Sequence, residues 1–195
     1  MEMTTLSFTN MHRHGALFAN MLKARHRTFI EEMHWDLPTA DGMEFDQYDT
    51  AQSRWVCVHD GDRVLAGLRM TPTTARCGVY SYMVRDAQRG LLDTIPGNLL
   101  WDSAPVAPHI WDANRLFVVS DVDQSIRRRV QMSLMSEMVH TARDLGASVL
   151  IGLLPTLIPR LARRLGIDMA PAGPEMDFDG VPHRCYFVSM ATKMH

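Results

Sequence analysis

The chain has 195 residues, of which 46% are hydrophobic and 22% are charged, and its formal net charge is -2. This length and composition are ordinary for a globular protein with a substantial core, so we expect residues 1–195 to form a single domain. A net charge this close to zero does not favour non-specific binding to nucleic acid, which needs a basic surface. The longest apolar runs are too short to cross a bilayer, and no apolar signal segment follows the N-terminus. We therefore expect a cytoplasmic protein without nucleic-acid or membrane partners.

The three cysteines, Cys57, Cys77 and Cys185, predict neither a disulfide framework nor a zinc site. They are odd in number and share no Cys-x2-Cys spacing. The close pairs of possible metal ligands in the sequence lack a third and a fourth ligand nearby. We expect no metal site.

The first half of the chain predicts a strand, a helical region and a hairpin. The strand is expected over 4–8, and apolar residues at near-helical spacing predict one helix or two over 10–33, with a break near Gly15. The apolar runs 55–59 and 64–70 are separated by Asp60-Gly61-Asp62, which is a good hairpin signal.

The second half predicts a strand, a helix and a strand, followed by a shorter helix and a hairpin. A buried strand is expected over 115–120, an amphipathic helix over 124–145 ended by Gly146, and a strand over 148–153. Such a crossover unit makes two strands of one sheet parallel. A second helix is expected over 155–165, with Leu157, Ile158, Leu161 and Leu165 facing inward. Asp179-Gly180 predicts a turn before a strand over 183–190. The order of elements fits a three-layer α/β/α sandwich, although the residues alone allow other α/β folds.

The stretch from Arg25 to Asp49 carries the strongest functional signal. Arg25 and Phe29 are i and i+4 and share one face of any helix. In an extended segment Glu44 and Asp46 point to the same side. Taken alone, such charges are usually solvated and such rings are usually core. A guanidinium, a ring and carboxylates that converge would suit a small zwitterionic or cationic ligand.

Four blocks follow one another along the chain: Arg-x3-Phe-x5-Trp from Arg25, Glu-x-Asp-x2-Asp from Glu44, Gly-Leu-Arg-Met-Thr-Pro-Thr from Gly67, and Trp-Asp-Ala-Asn-Arg from Trp111. In order and spacing they resemble the acyl-homoserine-lactone synthases, the autoinducer synthases of bacterial quorum sensing. The resemblance implies the GNAT (acyl-CoA N-acyltransferase) type of α/β fold, with a mixed central sheet. The family pattern has a glutamate after the tryptophan and a serine or threonine before the arginine, where this chain has Asp112 and Asn114.

The function implied by the resemblance is an acyltransferase that makes an autoinducer from S-adenosyl-L-methionine and an acyl thioester of acyl carrier protein or coenzyme A. Methylthioadenosine is released, and no cofactor is needed. S-adenosylmethionine presents a carboxylate, an ammonium and a sulfonium, so its site needs charges of both signs. By the resemblance, the substrate-binding residues are Arg25, Phe29, Trp35, Asp46, Asp49, Arg69 and Arg115. The catalytic residues are Asp112, as the base that takes the amine proton, together with Arg115 and Asp46.

The segment from Asp121 to Val130 bears on the acyl donor. Ordinary GNAT enzymes hold the coenzyme A pyrophosphate here on a glycine-rich loop, but this segment has no glycine. The surface of acyl carrier protein is acidic, and six arginines of two helices could form a complementary basic patch: Arg127, Arg128, Arg129, Arg160, Arg163 and Arg164. A solvated helix face is an equally good interpretation of these arginines.

Two other functions stay open from the residues. One is a GNAT-type N-acyltransferase that acts on another amine, which the missing glycine loop disfavours. The other is a catalytically silent homologue that binds a ligand.

Overall fold

The computed structural model describes residues 1–164 and 166–190. Its elements, in chain order, are β1 Glu2–Leu6, a 3-10 turn Met11–Arg13, α1 Leu17–Arg25, a π-helical segment His26–Glu32, β2 Thr39–Ala40, β3 Met43–Glu44, β4 Arg54–Asp60, β5 Arg63–Pro72, α2 Met83–Gln88, β6 Ile110–Val118, α3 Gln124–Asp144, β7 Val149–Pro155, α4 Ile158–Arg163, β8 Met169–Phe178 and β9 Val181–Ser189.

The chain forms two compact units. The first comprises Met1–Met70 and Arg115–Thr141, and the second comprises Thr71–Asn114 and the chain from Ala142 onward. In the first unit β1 pairs antiparallel with β4, and β4 pairs antiparallel with β5. Met21 of α1 packs on Gly67 of β5, where any Cβ atom would collide with the Met21 side chain. Helix α1 therefore lies close against this strand.

The second unit contains a mixed sheet. β6 runs parallel to β7, pairing Ile110 with Val149 and Asp112 with Ile151. β7 pairs antiparallel with β9, and β9 pairs antiparallel with β8. The parallel pair is the one that the strand, helix and strand pattern predicts. The α/β class with a mixed central sheet is thus confirmed.

Most of the predicted elements are confirmed. The hairpin of β4 and β5 turns at Gly61, whose φ of 56° is in the left-handed region that glycine tolerates. Gly15, with φ of 54°, separates two helical segments, as the break in the pattern predicts. Helix α3 ends at Asp144, and the turn that follows it contains the predicted Gly146, whose N–H donates to the Arg143 carbonyl at 2.9 Å. The hairpin at Asp179-Gly180 is also present.

The helix predicted over 155–165 is shorter in the structure and begins later. β7 continues through Pro155, so α4 starts only at Ile158. Leu157 is the residue before this helix and is 68% exposed, so its predicted inward position is wrong. Leu165 lies outside the described residues. In the part of the chain that the structure describes, every helix is too short or too polar to cross a membrane.

Candidate active site

The acidic loop between β3 and β4 is held by its own carboxylates. The Tyr48 N–H donates to Asp46 Oδ1 at 2.8 Å, and the Asp46 N–H donates to Asp49 Oδ2 at 2.9 Å. The indole Nε1 of Trp55 donates to Asp49 Oδ1 at 2.8 Å. Because Asp and Asn side chains readily cap the N–H groups of turns, this sequence of acids folds into a compact loop. Both carboxylates are thereby fixed in place.

Arg25 is the last residue of α1, and its side chain is fully buried. Its Nε donates to Glu44 Oε2 at 2.5 Å, and its two terminal nitrogens donate to the two oxygens of Asp49 at 2.7 and 3.0 Å. The fork-on-fork geometry with Asp49 is the strongest arrangement open to an arginine and a carboxylate. Arg25 therefore fastens the helix to the acidic loop.

Arg69 lies on β5 and is also fully buried. Its terminal nitrogens donate to the two oxygens of Asp46 at 2.6 and 3.0 Å, and Nη1 lies 2.8 Å from Asp49 Oδ2. Its guanidinium carbon is 5.7 Å from the centre of the Tyr48 ring, which is within cation–π range. Arg69 thus connects the acidic loop to the sheet.

Arg115 completes the group from β6, with a backbone φ of 53°. Its Nη2 lies 2.8 Å from Asp46 Oδ2 and 3.1 Å from Glu44 Oε1. Its guanidinium carbon is 5.7 Å from the centre of the Phe29 ring, and that ring stacks on Trp35 at 5.1 Å. This backbone conformation is rare for a residue with a side chain, so the backbone of Arg115 is strained where its side chain meets Glu44 and Asp46.

Six side chains therefore form one hydrogen-bonded group, called here the charge network: Arg25, Glu44, Asp46, Asp49, Arg69 and Arg115. The structure brings together the five charged residues to which the sequence assigns substrate binding, with Phe29 and Trp35 beside Arg115. Glu44 was not among the predicted site residues. It is fully buried and bonds to both Arg25 and Arg115. Its alternation with Asp46 in the acidic loop was the available signal.

The charge network is balanced, with three cations and three anions, and burial alone would penalise each of them. Burial raises the pKa values of Asp46 and Asp49, but the nearby arginines outweigh it and hold both pKa values below the ordinary range. Burial lowers the pKa of Arg69, but Asp46 and Asp49 outweigh it and raise that pKa. Asp46, Asp49 and Arg69 therefore stay charged at neutral pH.

Members of the charge network differ in access to solvent. Arg25, Glu44 and Arg69 have side chains that are 0% exposed, whereas Asp46, Asp49 and Arg115 are 5%, 7% and 9% exposed. The first three act as a scaffold. The other three, called here the rim, keep a small exposed area and carry both signs of charge, as a site for a zwitterion requires.

Acid should destabilise this protein through the network. Because the folded-state pKa values of Asp46 and Asp49 lie below their ordinary value of 3.8, the unfolded chain binds protons first. Their contribution to the free energy of unfolding is complete above about pH 5 and is lost as the pH falls toward about 2. Urea unfolding measured across this range should show the loss. Asp49→Asn should lower the free energy of unfolding at pH 7 and make it depend less on pH between about 5 and 2. Asp93→Asn, in an exposed loop, should change neither quantity.

Asp112 belongs to the second unit and is fully buried. Asn114 Nδ2 donates to Asp112 Oδ2 at 2.6 Å. Burial raises the pKa of Cys185 to about 12, and the Asp112 charge contributes to this shift. Burial, and next the charge of Asp112, also raise the pKa of Tyr82. The predicted base is therefore a buried carboxylate that accepts a hydrogen bond from Asn114.

The six arginines predicted to contact a carrier protein are divided between the units. Arg127 is half-buried and donates to the Val119 carbonyl at 3.0 Å, which engages it at the end of β6. Arg128 and Arg129, in the same unit, are exposed. In the second unit, the three arginines at α4 are all exposed: Arg160, Arg163 and Arg164.

The start of α3 offers a poor cradle for a pyrophosphate. Asp123 Oδ1 accepts the Ser125 N–H at 2.7 Å, so a carboxylate already caps this helix end. Its hydrogen bonds with Ser125 lower the pKa of Asp123, so its negative charge persists at neutral pH. A negative cap competes with phosphate for the same N–H groups and repels it.

Among the described residues, there is no cluster of three or more His, Cys, Asp or Glu side chains suited to a metal ion.

The comparison with protein families identifies the chain. Residues 8–176 match the family described as autoinducer synthase. The chain belongs to the autoinducer synthase family. It is 29% identical over 171 residues to the acyl-homoserine-lactone synthase of Acinetobacter nosocomialis, a match that covers 84% of this chain and 87% of that relative. The resemblance based on the four sequence blocks is therefore confirmed.

Solved structures confirm the GNAT-like fold. The structure of BjaI, a coenzyme A-dependent acyl-homoserine lactone synthase with SAM and isopentyl-CoA, matches with a TM-score of 0.77 at 22% identity, covering 98% of this chain and 84% of BjaI. An acyl-CoA N-acyltransferase from Pseudomonas aeruginosa matches with a TM-score of 0.61 at 12% identity, covering 97% of this chain and 99% of that one. The autoinducer synthase thus shares its fold with an N-acyltransferase.

Proposed function

We propose that the protein is an acyl-homoserine-lactone synthase, which joins an acyl group to S-adenosylmethionine, closes the lactone and releases methylthioadenosine. The observation that carries the proposal is the charge network beside two stacked rings, in a chain that belongs to the autoinducer synthase family. The same arrangement supports substrate-binding roles for the seven residues assigned above.

S-adenosylmethionine fits the rim of the network chemically. Its carboxylate suits Arg115, while its ammonium and sulfonium suit the carboxylates of Asp46 and Asp49. Trp35 is 36% exposed and stacks on Phe29, which backs the ring and leaves part of it accessible. A sulfonium against such a ring gains cation–π attraction.

Trp35 should contribute to S-adenosylmethionine affinity. Trp35→Ala is expected to weaken binding by about 10- to 30-fold, since a desolvated cation–π contact is worth up to roughly 2 kcal/mol. Trp35→Phe keeps a ring and should lose less than Trp35→Ala. Calorimetric titration with S-adenosylmethionine measures the affinity of each variant. The control is Trp101→Ala, because Trp101 is an exposed tryptophan of the second unit. Equal affinities for wild type and Trp35→Ala would remove Trp35 from the site.

In the first chemical step the substrate amine, in its neutral form, attacks the carbonyl carbon of the acyl thioester; the amide C–N bond forms, the C–S bond breaks and the thiol of the carrier leaves. Asp112 takes the proton directly or through water, a role that typically contributes about 10²- to 10⁴-fold to the rate. Arg115 and Asp46 orient the substrate. In the second step the substrate carboxylate attacks its own γ-carbon and expels methylthioadenosine. This step needs mainly orientation, because the sulfonium is already a good leaving group.

We propose acyl carrier protein or coenzyme A as the acyl carrier, with the Asp123 cap on α3 favouring acyl carrier protein. The exposed arginines Arg128, Arg129, Arg160, Arg163 and Arg164 supply positive charge for an acidic carrier, while Arg127 is already engaged with the Val119 carbonyl.

We further propose that residues 1–195 act as one domain, since the family match extends over both compact units. A cytoplasmic location fits the free thiols of Cys57, Cys77 and Cys185.

Mass spectrometry of the reaction products tests the proposal. Purified protein is incubated with S-adenosylmethionine and a panel of acyl carrier protein and coenzyme A thioesters. An acyl-homoserine lactone together with methylthioadenosine is the expected result, and the productive thioester names the acyl chain and its carrier. Acylation of a different amine without lactone would favour a general N-acyltransferase. Binding of S-adenosylmethionine without any turnover would indicate a silent homologue.

A further inference from the structure

Asp49 accepts hydrogen bonds from side chains of three different elements of the first unit. Arg25, at the end of α1, donates to both of its oxygens. Arg69, on β5, has Nη1 at 2.8 Å from Oδ2, and the indole Nε1 of Trp55, on β4, donates to Oδ1 at 2.8 Å. The two arginines are members of the charge network. Trp55 lies outside the network and belongs to none of the four sequence blocks.

Trp55 and Arg69 stand directly opposite each other in the antiparallel pair of β4 and β5. Side chains opposite one another in such a pair lie on the same face of the sheet, with Cβ atoms about 4.5–5.5 Å apart. The register therefore places both donors against one carboxylate, Trp55 at Oδ1 and Arg69 at Oδ2. A sheet donor on each oxygen fixes the plane of the Asp49 carboxylate as well as its place.

The indole of Trp55 is itself held by packing. Its side chain is fully buried. Phe8, in the turn after β1, stacks on the indole with ring centroids 5.3 Å apart, and Phe18 of α1 meets it edge-on at 4.8 Å. Rings packed on a face and at an edge oppose rotation of the indole. The N–H of Trp55 therefore keeps its direction toward Asp49.

An uncharged donor suits a carboxylate that is meant to attract a cation. Arg25 and Arg69 stabilise the Asp49 charge but also offset it, so a third cation would weaken the attraction for a positively charged ligand. The indole N–H is a donor without net charge, which orients the carboxylate and leaves its negative charge in place. Asp49 keeps a small exposed area at the rim, where this charge can act.

We infer that Trp55 is a positioning residue of the substrate site, which holds the Asp49 carboxylate in the orientation that S-adenosylmethionine binding requires. This inference rests on the proposed function, in which Asp49 binds that substrate. Trp55 acts on the substrate only through Asp49, so loss of its N–H should change the affinity for S-adenosylmethionine more than the rate of acyl transfer.

Calorimetric titration with S-adenosylmethionine tests this role in two variants. Trp55→β-(3-benzothienyl)alanine, introduced at this one position, keeps the shape of the indole and has sulfur in place of the N–H. Trp55→Phe removes the same donor with a smaller ring. Both should bind S-adenosylmethionine at least about fivefold more weakly, because a hydrogen bond to a charged group typically contributes more than this factor. An affinity within twofold of wild type in the benzothienylalanine variant would overturn the inference.

Leu6→Val separates positioning from packing. Leu6 is the fully buried β1 residue opposite Trp55, and its side chain has no hydrogen-bond donor. The variant loosens the same core, so it should lower the melting temperature but keep the affinity within about twofold of wild type. In steady-state assays, Trp55→Phe should raise KM for S-adenosylmethionine while kcat stays within about twofold. Equal losses of affinity in Leu6→Val and Trp55→Phe would assign Trp55 to packing alone and overturn the inference.

Asp49→Asn shows whether Trp55 acts through Asp49. In the Asp49→Asn background, Trp55→Phe should weaken binding by less than about twofold further, because the two changes affect one interaction. The full loss repeated in that background would overturn the inference. A wild-type protein that does not bind S-adenosylmethionine would overturn the proposed function as well. Wild-type protein that binds it, with Trp55 variants that bind it equally, would overturn only this inference.

Discussion

Arg69→Met is expected to lower the free energy of unfolding by about 3–5 kcal/mol, the usual cost of removing one partner from a buried ion pair. Methionine keeps most of the stem, so the loss comes from the charge. Arg69 is fully buried and holds both oxygens of Asp46, while its Nη1 also lies beside Asp49. Without it, two buried carboxylates retain fewer cationic partners. Urea unfolding followed by circular dichroism measures the change.

Two further variants make this result specific. Arg128→Met changes an exposed arginine in the same unit and should stay within about 0.5 kcal/mol of wild type. Asp46→Asn in the Arg69→Met background removes one of the two carboxylates that have lost Arg69 as a partner. It should recover part of the lost free energy of unfolding. An Arg69→Met protein as stable as wild type would show that Arg69 does not hold the acidic loop to β5.

Local pattern was enough to predict most of the secondary structure. The hairpin of β4 and β5 and the end of α3 depend on turn residues next to one another in the chain, and both are confirmed. The hairpin at Asp179-Gly180 was predicted, but no bounds were predicted for its first strand, β8. It is the last strand of its sheet, and its register shifts between Pro171 and Glu175. Proline is tolerated at such an edge, where one side of the strand needs no partner.

The charge network was only partly predictable, since its geometry depends on contacts between distant segments. The resemblance to the family placed Arg25, Asp46, Asp49, Arg69 and Arg115 in one group. Glu44 belongs to the same sequence block as Asp46 and Asp49 but was given no role, and only the structure shows that it bonds to Arg25 and Arg115. The π-helical segment His26–Glu32, which contains Phe29, was also missed, because apolar spacing does not distinguish a wider helical turn from an ordinary one.

The network suggests why both signs of charge are present in equal number. A site for a zwitterion must offer a cation and anions close together, yet isolated buried charges would be neutralised or would unfold the loop. Pairing the rim residues with a fully buried scaffold of Arg25, Glu44 and Arg69 solves this problem. Substitutions of the scaffold should therefore affect stability first, and substitutions of the rim should affect substrate binding first.

Arg115→Gly should abolish most activity and still leave a folded protein. The side chain supplies the positive charge of the rim, and losing one orienting group can cost about 10²-fold or more in kcat/KM. Asp46 keeps Arg69 as a partner, and Glu44 keeps Arg25. The backbone of residue 115 has φ of 53°, which glycine adopts freely, so Arg115→Gly should be more stable than Arg115→Ala by roughly 1 kcal/mol.

The control for this backbone effect is Asp179, which also has a positive φ, 52°, but lies in the turn between β8 and β9. Asp179→Gly should preserve kcat/KM and raise stability slightly, because glycine relieves the strained conformation there without touching the charge network. Steady-state assays and urea unfolding of the three variants separate the two roles of residue 115. An Arg115→Gly enzyme with wild-type kcat/KM would show that the guanidinium does not bind substrate. Equal stabilities of the glycine and alanine variants would show that the backbone of residue 115 is not strained.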